Sequence, residues 1–281
     1  MYYDFASNIY NCTFCNHFFT FPYPSDQLVR QIYSESYKYD LHQVVAHEKF
    51  FRSKKVLHLI QKFIKTDALV ELGSMHGVFL EVAKEEGISI LGLEINHNAN
   101  QIALSKNLNS LELSAEAFAL NKINFEFDCL VMIHTLEHLK NPVDFLKKVF
   151  VNYPNLIYIV VVVPNFNSFS RKIVGKIWGS IQIGTHYHHF SQKSLRYLFE
   201  SNKYHQVYST TRSGDFNLVA ATIVNFFKID LKRINIVSWK RKILIHIFSK
   251  LLNTVYYFGN DEIISIFSRT KVNYNYSRDK S

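Results

Sequence analysis

The chain has 281 residues, 48% hydrophobic and 15% aromatic, so it is long enough to bury a substantial core. Its longest unbroken apolar run, LIYIVVVV at 156–163, is far shorter than the roughly 20 residues of a membrane span, and the N-terminus lacks the pattern of a signal peptide. The formal charge is +9, but much of the excess is local, with seven Lys or Arg against one acid between residues 228 and 250. These features predict a cytoplasmic protein without a nucleic-acid partner.

The N-terminal segment, residues 1–41, is aromatic-rich and is predicted to be an irregular extension with one helix at 24–37. Cys12 and Cys15 form a single CxxC pair, with His17 two residues later. A structural zinc site takes four ligands, and the usual second CxxC pair is missing from the sequence. We therefore predict no bound metal, and zinc binding by this pair is the less favoured alternative.

From residue 42 onward, apolar stretches of strand length alternate with stretches of helical periodicity. The predicted strands are 68–73, 89–95, 108–113, 127–133 and 156–163, and the predicted helices are 42–65, 77–87, 97–107 and 141–152. Such alternation is typical of βαβ units, which build a parallel sheet covered on both faces with right-handed crossovers. We expect residues 42–281 to form one α/β domain with a doubly wound, mostly parallel sheet.

The pattern changes after the fifth strand. A polar and aromatic loop at 164–190 is long for a compact domain, which is usual for loops with a function, and we predict that it caps the substrate site. A helix at 191–202 and strands at 204–212 and 261–269 follow. The basic helical insertion 222–258 lies before the last strand. It is predicted to cover the pocket or form a homodimer face, with contact to an anionic membrane surface as the alternative.

The end of the first strand, VELGSMHG, carries the features of a nucleotide-type pocket. Gly73 allows a sharp turn close to a ligand, and Gly77 allows the next helix to pack against the strand. Glu94 ends the second strand, where a carboxylate can accept hydrogen bonds from both hydroxyls of a ribose. Glu71 would repel a pyrophosphate but would attract the ammonium and sulfonium of S-adenosylmethionine. The acid therefore favours the methyl donor over a dinucleotide.

Residues 68–163 resemble the class I S-adenosylmethionine-dependent methyltransferases. FDCLVMIHTLEHLKNPVDFLKKV is similar to the fourth strand and following turn of that family, VVVPN to the end of its fifth strand, and HYHHFSQKSLRYLFESNKY to the segment before its sixth. The N-terminal CTFCNHFF resembles the tail of a zinc ribbon in a subgroup that modifies sugars and other small molecules. The resemblance covers residues 12–205 and 259–268 and implies a seven-stranded Rossmann-like sheet.

The resemblance also implies how the cofactor pocket is lined, with separate residues for the methionine end, the ribose, the adenine and the sulfonium. The implied residues are Glu71, Gly73, Ser74 and Gly77 for the methionine end, Glu94 for the ribose, Ile95, Ala115 and Glu116 for the adenine, and Ile133 and His134 for the sulfonium. Glu116 has an equally good alternative as an acid that stabilises the first turn of a helix.

Met75 departs from the family pattern, which often has glycine at the centre of this loop. Methionine resists a positive φ, at a cost of about 1–2 kcal/mol. We expect the loop to bind the cofactor nevertheless, because backbone contacts at Gly73 and Ser74 do not depend on residue 75. A degenerate loop that binds no cofactor is the alternative.

Methyl transfer from a sulfonium is an in-line displacement, which needs a positioned nucleophile and, for a hydroxyl acceptor, a base. Histidine suits the second task because its pKa lies near neutrality. His186, which matches the family's loop histidine, is the first predicted base and His134 the second, whereas His138 is predicted to be structural. The predicted substrate contacts on the loop are Arg171, Trp178 and His189. An arginine there would suit a phosphate or carboxylate.

The predicted function is O-methylation of a small molecule, a sugar or phosphorylated metabolite of surface polysaccharide or capsule modification, by analogy with the ribbon-bearing subgroup. A quinone or lipid-like acceptor at the membrane surface is the alternative within the enzyme class. A non-catalytic binding module and an RNA methylase are the competing classes. The sequence MIHTLEH replaces the N-P-P-Y or D-P-P-Y of base-amino methylases, which disfavours methylation of adenine or cytosine.

Overall fold

The computed structural model describes residues 7–25, 27–29, 46–182, 184–213, 222–223, 226, 251–252, 254–255 and 257–271. The strands are β1 (Asn8–Asn11), β2 (Phe18–Phe21), β3 (Ala68–Leu72), β4 (Ser89–Glu94), β5 (Ser110–Glu112), β6 (Cys129–Ile133), β7 (Tyr158–Pro164), β8 (His188–His189), β9 (His205–Arg212) and β10 (Glu262–Ser268). The helices are α1 (Ala46–Phe63), α2 (Val78–Glu85), α3 (His97–Ser105), α4 (Ala115–Leu120), α5 (Pro142–Asn152), α6 (Phe169–Val174) and α7 (Gln192–Glu200), with 3-10 turns at Leu136–His138 and Gly175–Ile177.

Seven strands form the central sheet in the order β5-β4-β3-β6-β7-β10-β9. The pairs from β5 to β7 are all parallel, whereas β10 runs antiparallel to both β7 and β9. This arrangement confirms the predicted mostly parallel α/β sheet. From the central strand β3, the chain first adds β4 and β5 on one side of the sheet. It then adds β6 on the other side of β3, so the strand order reverses between β3 and β6. The carboxyl ends of these two strands define the crevice in which such sheets bind ligands.

Strand β7 shows why the sheet is covered on both faces. Its sequence YIVVVVP is apolar throughout, and successive side chains of a strand point to opposite faces. Ile159, Val161 and Val163 pack in one core cluster with α4, α5 and α7, whereas Val160 and Val162 pack in a second cluster with α1 and α2. A strand buried on both sides therefore needs a continuous apolar run.

Three of the sheet-covering helices begin at polar side chains that cap their first turns. The side chain of Asn96 accepts a hydrogen bond from the Ala99 N–H at the start of α3. Ser114 caps α4 in the same way, and Asn141 caps α5, which opens with Pro142. Such residues satisfy amide groups that the helix itself leaves without a partner.

The N-terminal segment was predicted to be irregular, and this is wrong for residues 8–21. Strands β1 and β2 form an antiparallel hairpin, and β2 pairs in turn with β8, which belongs to the loop 164–190. Phe18 of β2 packs on Phe166 of that loop, with ring centroids 4.7 Å apart. The pairing could not be predicted because β8 has only two residues and its partner lies far away in the sequence. Of the predicted helix at 24–37, residues 24–25 and 27–29 are described, and only 27–29 are helical; the rest of it lies outside the described residues.

The basic insertion 222–258 falls largely outside the described residues. Those that are described at 222–223, 226, 251–252 and 254–255 are helical. Leu252 and Ile223 pack against Trp178 and Phe166 of the loop. Contact of the insertion with a membrane, and a homodimer face, stay predictions. Within the described part of the chain, no helix has both the length and the apolar character needed to cross a membrane.

Candidate cofactor and active site

The loop after β3 adopts the tight conformation that its glycines predict. Gly73 and Gly77 both have φ of +79°, in the region that only glycine occupies without strain. A Cβ atom on Gly73 would lie 2.5 Å from Thr135 Oγ1, which donates a hydrogen bond to the Leu72 carbonyl. Met75 has φ of +51°, so the departure from glycine leaves the turn intact at the expense of local strain.

Two polar side chains at the end of β3 and in this loop each have a buried oxygen atom without a hydrogen-bond partner among the described residues. They are Glu71, whose Oε2 atom is unpaired, and Ser74, whose Oγ atom is unpaired. Burial, followed by the negative charge of Glu94, raises the pKa of Glu71 well above its usual range. A buried acceptor without a donor is costly, and a cationic donor ligand removes that cost. The loop thus fits the ammonium end of S-adenosylmethionine.

Glu94 at the end of β4 is held in place by backbone amides. Its Oε2 accepts from the Met75 N–H at 2.8 Å and its Oε1 accepts from the Asn96 N–H at 2.7 Å. Burial raises the pKa of Glu94, and these amide hydrogen bonds oppose the shift. Each carboxylate oxygen has two lone pairs, so one on each oxygen is available to a ribose hydroxyl.

The predicted adenine side of the pocket is mostly exposed. Ile95 is 68% exposed, unusual for a large apolar side chain next to a buried strand end, and it offers a surface for an aromatic ring. Ala115 packs on the core at the start of α4, and Ile133, which was predicted for the sulfonium instead, is half-buried at the end of β6. Glu116 is exposed in the first turn of α4, where an acid also stabilises the helix by itself.

His134 directly follows β6 and is 40% exposed. Its Nε2 lies 3.1 Å from Glu262 Oε1, and its Nδ1 lies 3.4 Å from Glu137 Oε1. Burial by itself would lower the pKa of His134, but the charges of Glu262 and Glu137 and the hydrogen bond to Glu262 raise it to about 10. A ring that is protonated at neutral pH cannot accept a proton, so the raised pKa argues against His134 as a base, and this role stays a prediction.

The partners of His134 belong to a charged network that the sequence reasoning missed. Glu262 is buried and forms ion pairs with Arg52 at 2.6 Å and Arg212 at 2.5 Å. Burial alone would raise the pKa of Glu262, but Arg212, His134 and Arg52 together hold it well below its usual range. The residues come from α1, β9 and β10, and their spacing along the chain carries no local signal.

His186, the first predicted base, is buried at 5% exposure, and its Nδ1 donates to the Ser180 carbonyl at 3.0 Å. Burial, followed by the charges of His138 and His189, lowers its pKa well below 6.5. The ring is therefore neutral, but it faces His138 at a centroid distance of 4.6 Å rather than open solvent. Its role as a base stays a prediction.

The predicted substrate contacts on the loop 164–190 have partners within the protein. Trp178 is 1% exposed and donates to Asp261 Oδ1 at 3.1 Å. His189 is buried with its Nε2 2.9 Å from Thr20 Oγ1, and burial lowers its pKa to about 3. Arg171 lies over the Phe166 ring at 4.1 Å and donates to the Phe166 carbonyl. In this arrangement the three residues stabilise the loop, and their contact with a substrate stays a prediction.

A polar cavity of about 510 Å³ lies beside this loop, at the carboxyl ends of β7 and β9. Asn165 and Thr211 line it from the strand ends, and Gln192 and Lys193 from the first turn of α7. Lys172 contributes a second positive charge from α6. Because the strands from β3 to β7 are parallel and β9 has the same direction, this cavity and the glycine loop lie on the same edge of the sheet.

Comparison with known proteins agrees with this geometry. The family model described as a methyltransferase domain matches residues 45–207, more than half of the chain. A solved S-adenosylmethionine-dependent methyltransferase from Archaeoglobus fulgidus superposes with a TM-score of 0.53 at 20% identity, over 81% of this chain and 99% of that one. A possible histamine N-methyltransferase from Thermotoga maritima gives a TM-score of 0.53 at 15% identity, over 87% and 99% of the chains. At these identities the two structures establish the fold only.

One curated relative is a mitochondrial ubiquinone biosynthesis O-methyltransferase from Dictyostelium discoideum, 30% identical over 147 residues. The match covers 49% of this chain and 45% of the relative, so the chain spans less than half of that protein's length.

The fold and the loop after β3 define the class, an S-adenosylmethionine-dependent methyltransferase of class I. The chain belongs to the methyltransferase domain family. This assignment confirms the predicted class and the predicted cofactor.

Proposed function

We propose that this chain transfers the methyl group of S-adenosylmethionine to a hydroxyl oxygen of a small polar acceptor with an anionic group, such as a sugar phosphate or another phosphorylated metabolite. The observation that carries this proposal is the polar cavity beside the loop 164–190. Two lysines, Lys172 and Lys193, line it together with asparagine, glutamine and threonine side chains. Lysine binds phosphate as a point charge, and amide and hydroxyl groups suit a polyhydroxylated compound.

The cofactor half of the site follows from the residues at the ends of β3 and β4. Glu71 and Ser74 would hold the methionine end, Glu94 the ribose and Ile95 the adenine. S-adenosylmethionine, when bound, supplies an electrophilic methyl group on a positively charged sulfur. The unpaired acceptors at Glu71 and Ser74 support this placement, because buried polar atoms normally have partners.

With the cofactor bound, the acceptor oxygen would form a bond to the methyl carbon while the sulfur–methyl bond breaks, the sulfur would keep the electron pair of that bond, and the hydroxyl proton would pass to solvent water. Lys172 and Lys193 would orient the acceptor by its anionic group, so that positioning contributes much of the rate. The raised pKa of His134 favours its protonated form, which argues against this ring as the acceptor of the hydroxyl proton. Its charge belongs to the network of Glu262, Arg52 and Arg212 at the same edge.

A quinone-type acceptor is the second candidate. The curated relative acts in ubiquinone biosynthesis, and Phe169, half exposed, brings an aromatic ring to the cavity. A role in surface polysaccharide or capsule modification is a further proposal that rests on the ribbon-like N-terminus alone.

The two candidates differ in the acceptors that receive a labelled methyl group from S-adenosylmethionine. We expect transfer to phosphorylated sugars or nucleotide sugars and none to detergent-solubilised demethylated quinones. The double variant Lys172→Ala/Lys193→Ala should lower kcat/KM for the phosphorylated acceptor about tenfold or more, with unchanged affinity for the cofactor. Lys55→Ala/Lys147→Ala, which removes two exposed lysines elsewhere, is the matched control. Labelling of the quinones alone, unaffected by the cavity variant, would favour the second candidate.

A further inference from the structure

Three potential ligands converge where the turn after β6 meets the loop 164–190. Glu137 and His138 belong to the 3-10 turn, and His186 belongs to the loop. One ligand atom from each side chain lies within 4.8 Å of those of the other two. The Tyr187 N–H donates to the Glu137 carbonyl at 2.9 Å, which holds the loop against the turn. The cluster is therefore built by two segments that the backbone already joins.

Glu137 is the unusual member of this cluster. It is fully buried, at 0% exposure, and among the described residues neither of its carboxylate oxygens has a hydrogen-bond partner. Among the described residues it forms an ion pair with the His134 ring, whose Nδ1 lies 3.4 Å from Oε1 and whose other nitrogen faces Glu262. A single long contact of this kind leaves most of the lone pairs of a buried carboxylate without a donor, and a metal ion would use them.

The two histidines are oriented as metal ligands are. His138 Nδ1 donates to the Thr185 carbonyl at 2.9 Å, and His186 Nδ1 donates to the Ser180 carbonyl at 3.0 Å. A carbonyl only accepts, so each Nδ1 carries the hydrogen and each neutral ring keeps its lone pair on Nε2. Hydrogen bonding of one ring nitrogen to a backbone carbonyl is the common way in which proteins fix a metal-binding histidine.

We propose that Glu137, His138 and His186 bind one divalent transition-metal ion of the zinc type. Two imidazole nitrogens and one carboxylate oxygen suit such an ion, whereas magnesium and calcium prefer oxygen ligands only. The ion would neutralise Glu137 and tie the loop 164–190 to the end of β6, next to the cofactor pocket. In this site His186 would bind the metal ion and would not act as the predicted base. The proposal also departs from the prediction, made from the sequence, that no metal is bound. It does not depend on the acceptor or on the reaction.

The test uses the full chain, stripped with a chelator and dialysed against zinc. Because Cys12 and Cys15 could bind zinc by themselves, all proteins carry Cys12→Ser/Cys15→Ser. We expect one zinc per chain, and at least about a tenfold loss of affinity in Glu137→Gln. The matched control is His97→Asn, which removes an exposed imidazole that also lies beside a carboxylate, that of Glu112. The control should bind zinc like the parent protein.

A second measurement does not depend on whether Glu137→Gln folds. X-ray absorption of the zinc-loaded Cys12→Ser/Cys15→Ser parent should show nitrogen and oxygen ligands at about 2.0–2.1 Å and no sulfur at about 2.3 Å. Equal zinc binding by parent and Glu137→Gln, no zinc binding by the parent, or a sulfur-containing shell in the parent would each overturn the proposal. Zinc bound by the wild type but not by the parent would assign the metal to the N-terminal hairpin instead.

Discussion

Glu71 and Glu94 are two buried carboxyl groups whose charge state would respond to a positively charged ligand. Their pKa values are raised by burial, and the pKa of Glu71 is raised further by the neighbouring charge of Glu94. In the absence of ligand, both groups therefore keep a proton at a pH where an exposed carboxyl is ionised. A positively charged ligand favours their ionised forms and is bound with release of the proton.

The affinity for S-adenosylmethionine should therefore rise with pH, starting from the ordinary carboxyl pKa of about 4.3 and continuing up to the raised values. Glu71→Gln should bind the cofactor about tenfold or more weakly and with a flatter pH dependence, because it removes the group with the larger shift. Calorimetric titration between about pH 5 and 7 measures both effects. Glu116→Gln, at an exposed position, is the control, and a pH-independent wild type would contradict this account of the pocket.

Met75 is a second residue with a measurable consequence, because its φ of +51° is unfavourable for a side chain with a Cβ atom. Met75→Gly relieves about 1–2 kcal/mol of backbone strain in the folded state. Glycine also loses more conformational entropy on folding, which lowers the free energy of unfolding by roughly 0.5–1 kcal/mol. We expect a net gain of about 0.5–1 kcal/mol in the free energy of unfolding, measured with urea. Gly77→Ala should act in the opposite direction, since its Cβ would lie 2.5 Å from Leu108 Cδ1. A loss of stability in Met75→Gly would show that packing of the methionine outweighs the strain.

At the scale of elements, one charged side chain joins α1, β9, β10 and the end of β6. Glu262 opens β10 and pairs with Arg52, Arg212 and His134, each from a different element. When one partner of a buried ion pair is removed, the remaining charge stays buried without compensation. The free energy lost in this way is larger than the stability that the intact pair contributes.

Glu262→Gln should lower the free energy of unfolding by about 3 kcal/mol near neutral pH. The lowered pKa of Glu262 sets the pH dependence: its contribution is present above the ordinary carboxyl pKa and is lost as the pH falls towards the lowered value. The difference between wild type and variant should therefore shrink in acid, as urea unfolding across pH would show. Glu112→Gln, at an exposed pair with His97, should change stability by less than about 1 kcal/mol. A wild-type advantage that persists unchanged in acid would argue against this network.

At the scale of the whole molecule, the sheet brings the glycine loop, the charged network and the polar cavity to one edge. The N-terminal hairpin closes over the same region, because Thr20 donates to the His186 carbonyl at 3.0 Å and β2 pairs with β8. A ligand that binds at this edge binds the folded state only, and so it stabilises the entire domain.

S-adenosylmethionine at about 100 times its Kd should stabilise the protein by roughly 2.7 kcal/mol. For a domain of this size that corresponds to a rise in Tm of about 5 °C or more. Differential scanning fluorimetry measures the shift, with a dinucleotide such as NAD as the control ligand. No shift at high cofactor concentration would support the alternative of a non-catalytic module with a degenerate loop.

The sequence by itself determined the features that depend on neighbouring residues. The fully apolar run of β7 predicted a strand buried on both faces, and Gly73, Gly77 and Glu94 marked the cofactor loop and the end of the next strand. Periodicity and glycine conformation are local properties, so they can be read without knowing the fold.

Only the tertiary structure decided the state of the polar groups. Thirteen histidines look alike in the sequence, yet in the fold Glu262 and Glu137 raise the pKa of His134, whereas burial and the neighbouring His138 lower the pKa of His186. The pairing of β2 with β8 and the convergence of Arg52 and Arg212 on Glu262 likewise join segments that are distant in the chain. Charge state depends on which groups surround a side chain in space, and that neighbourhood exists only after the chain has folded.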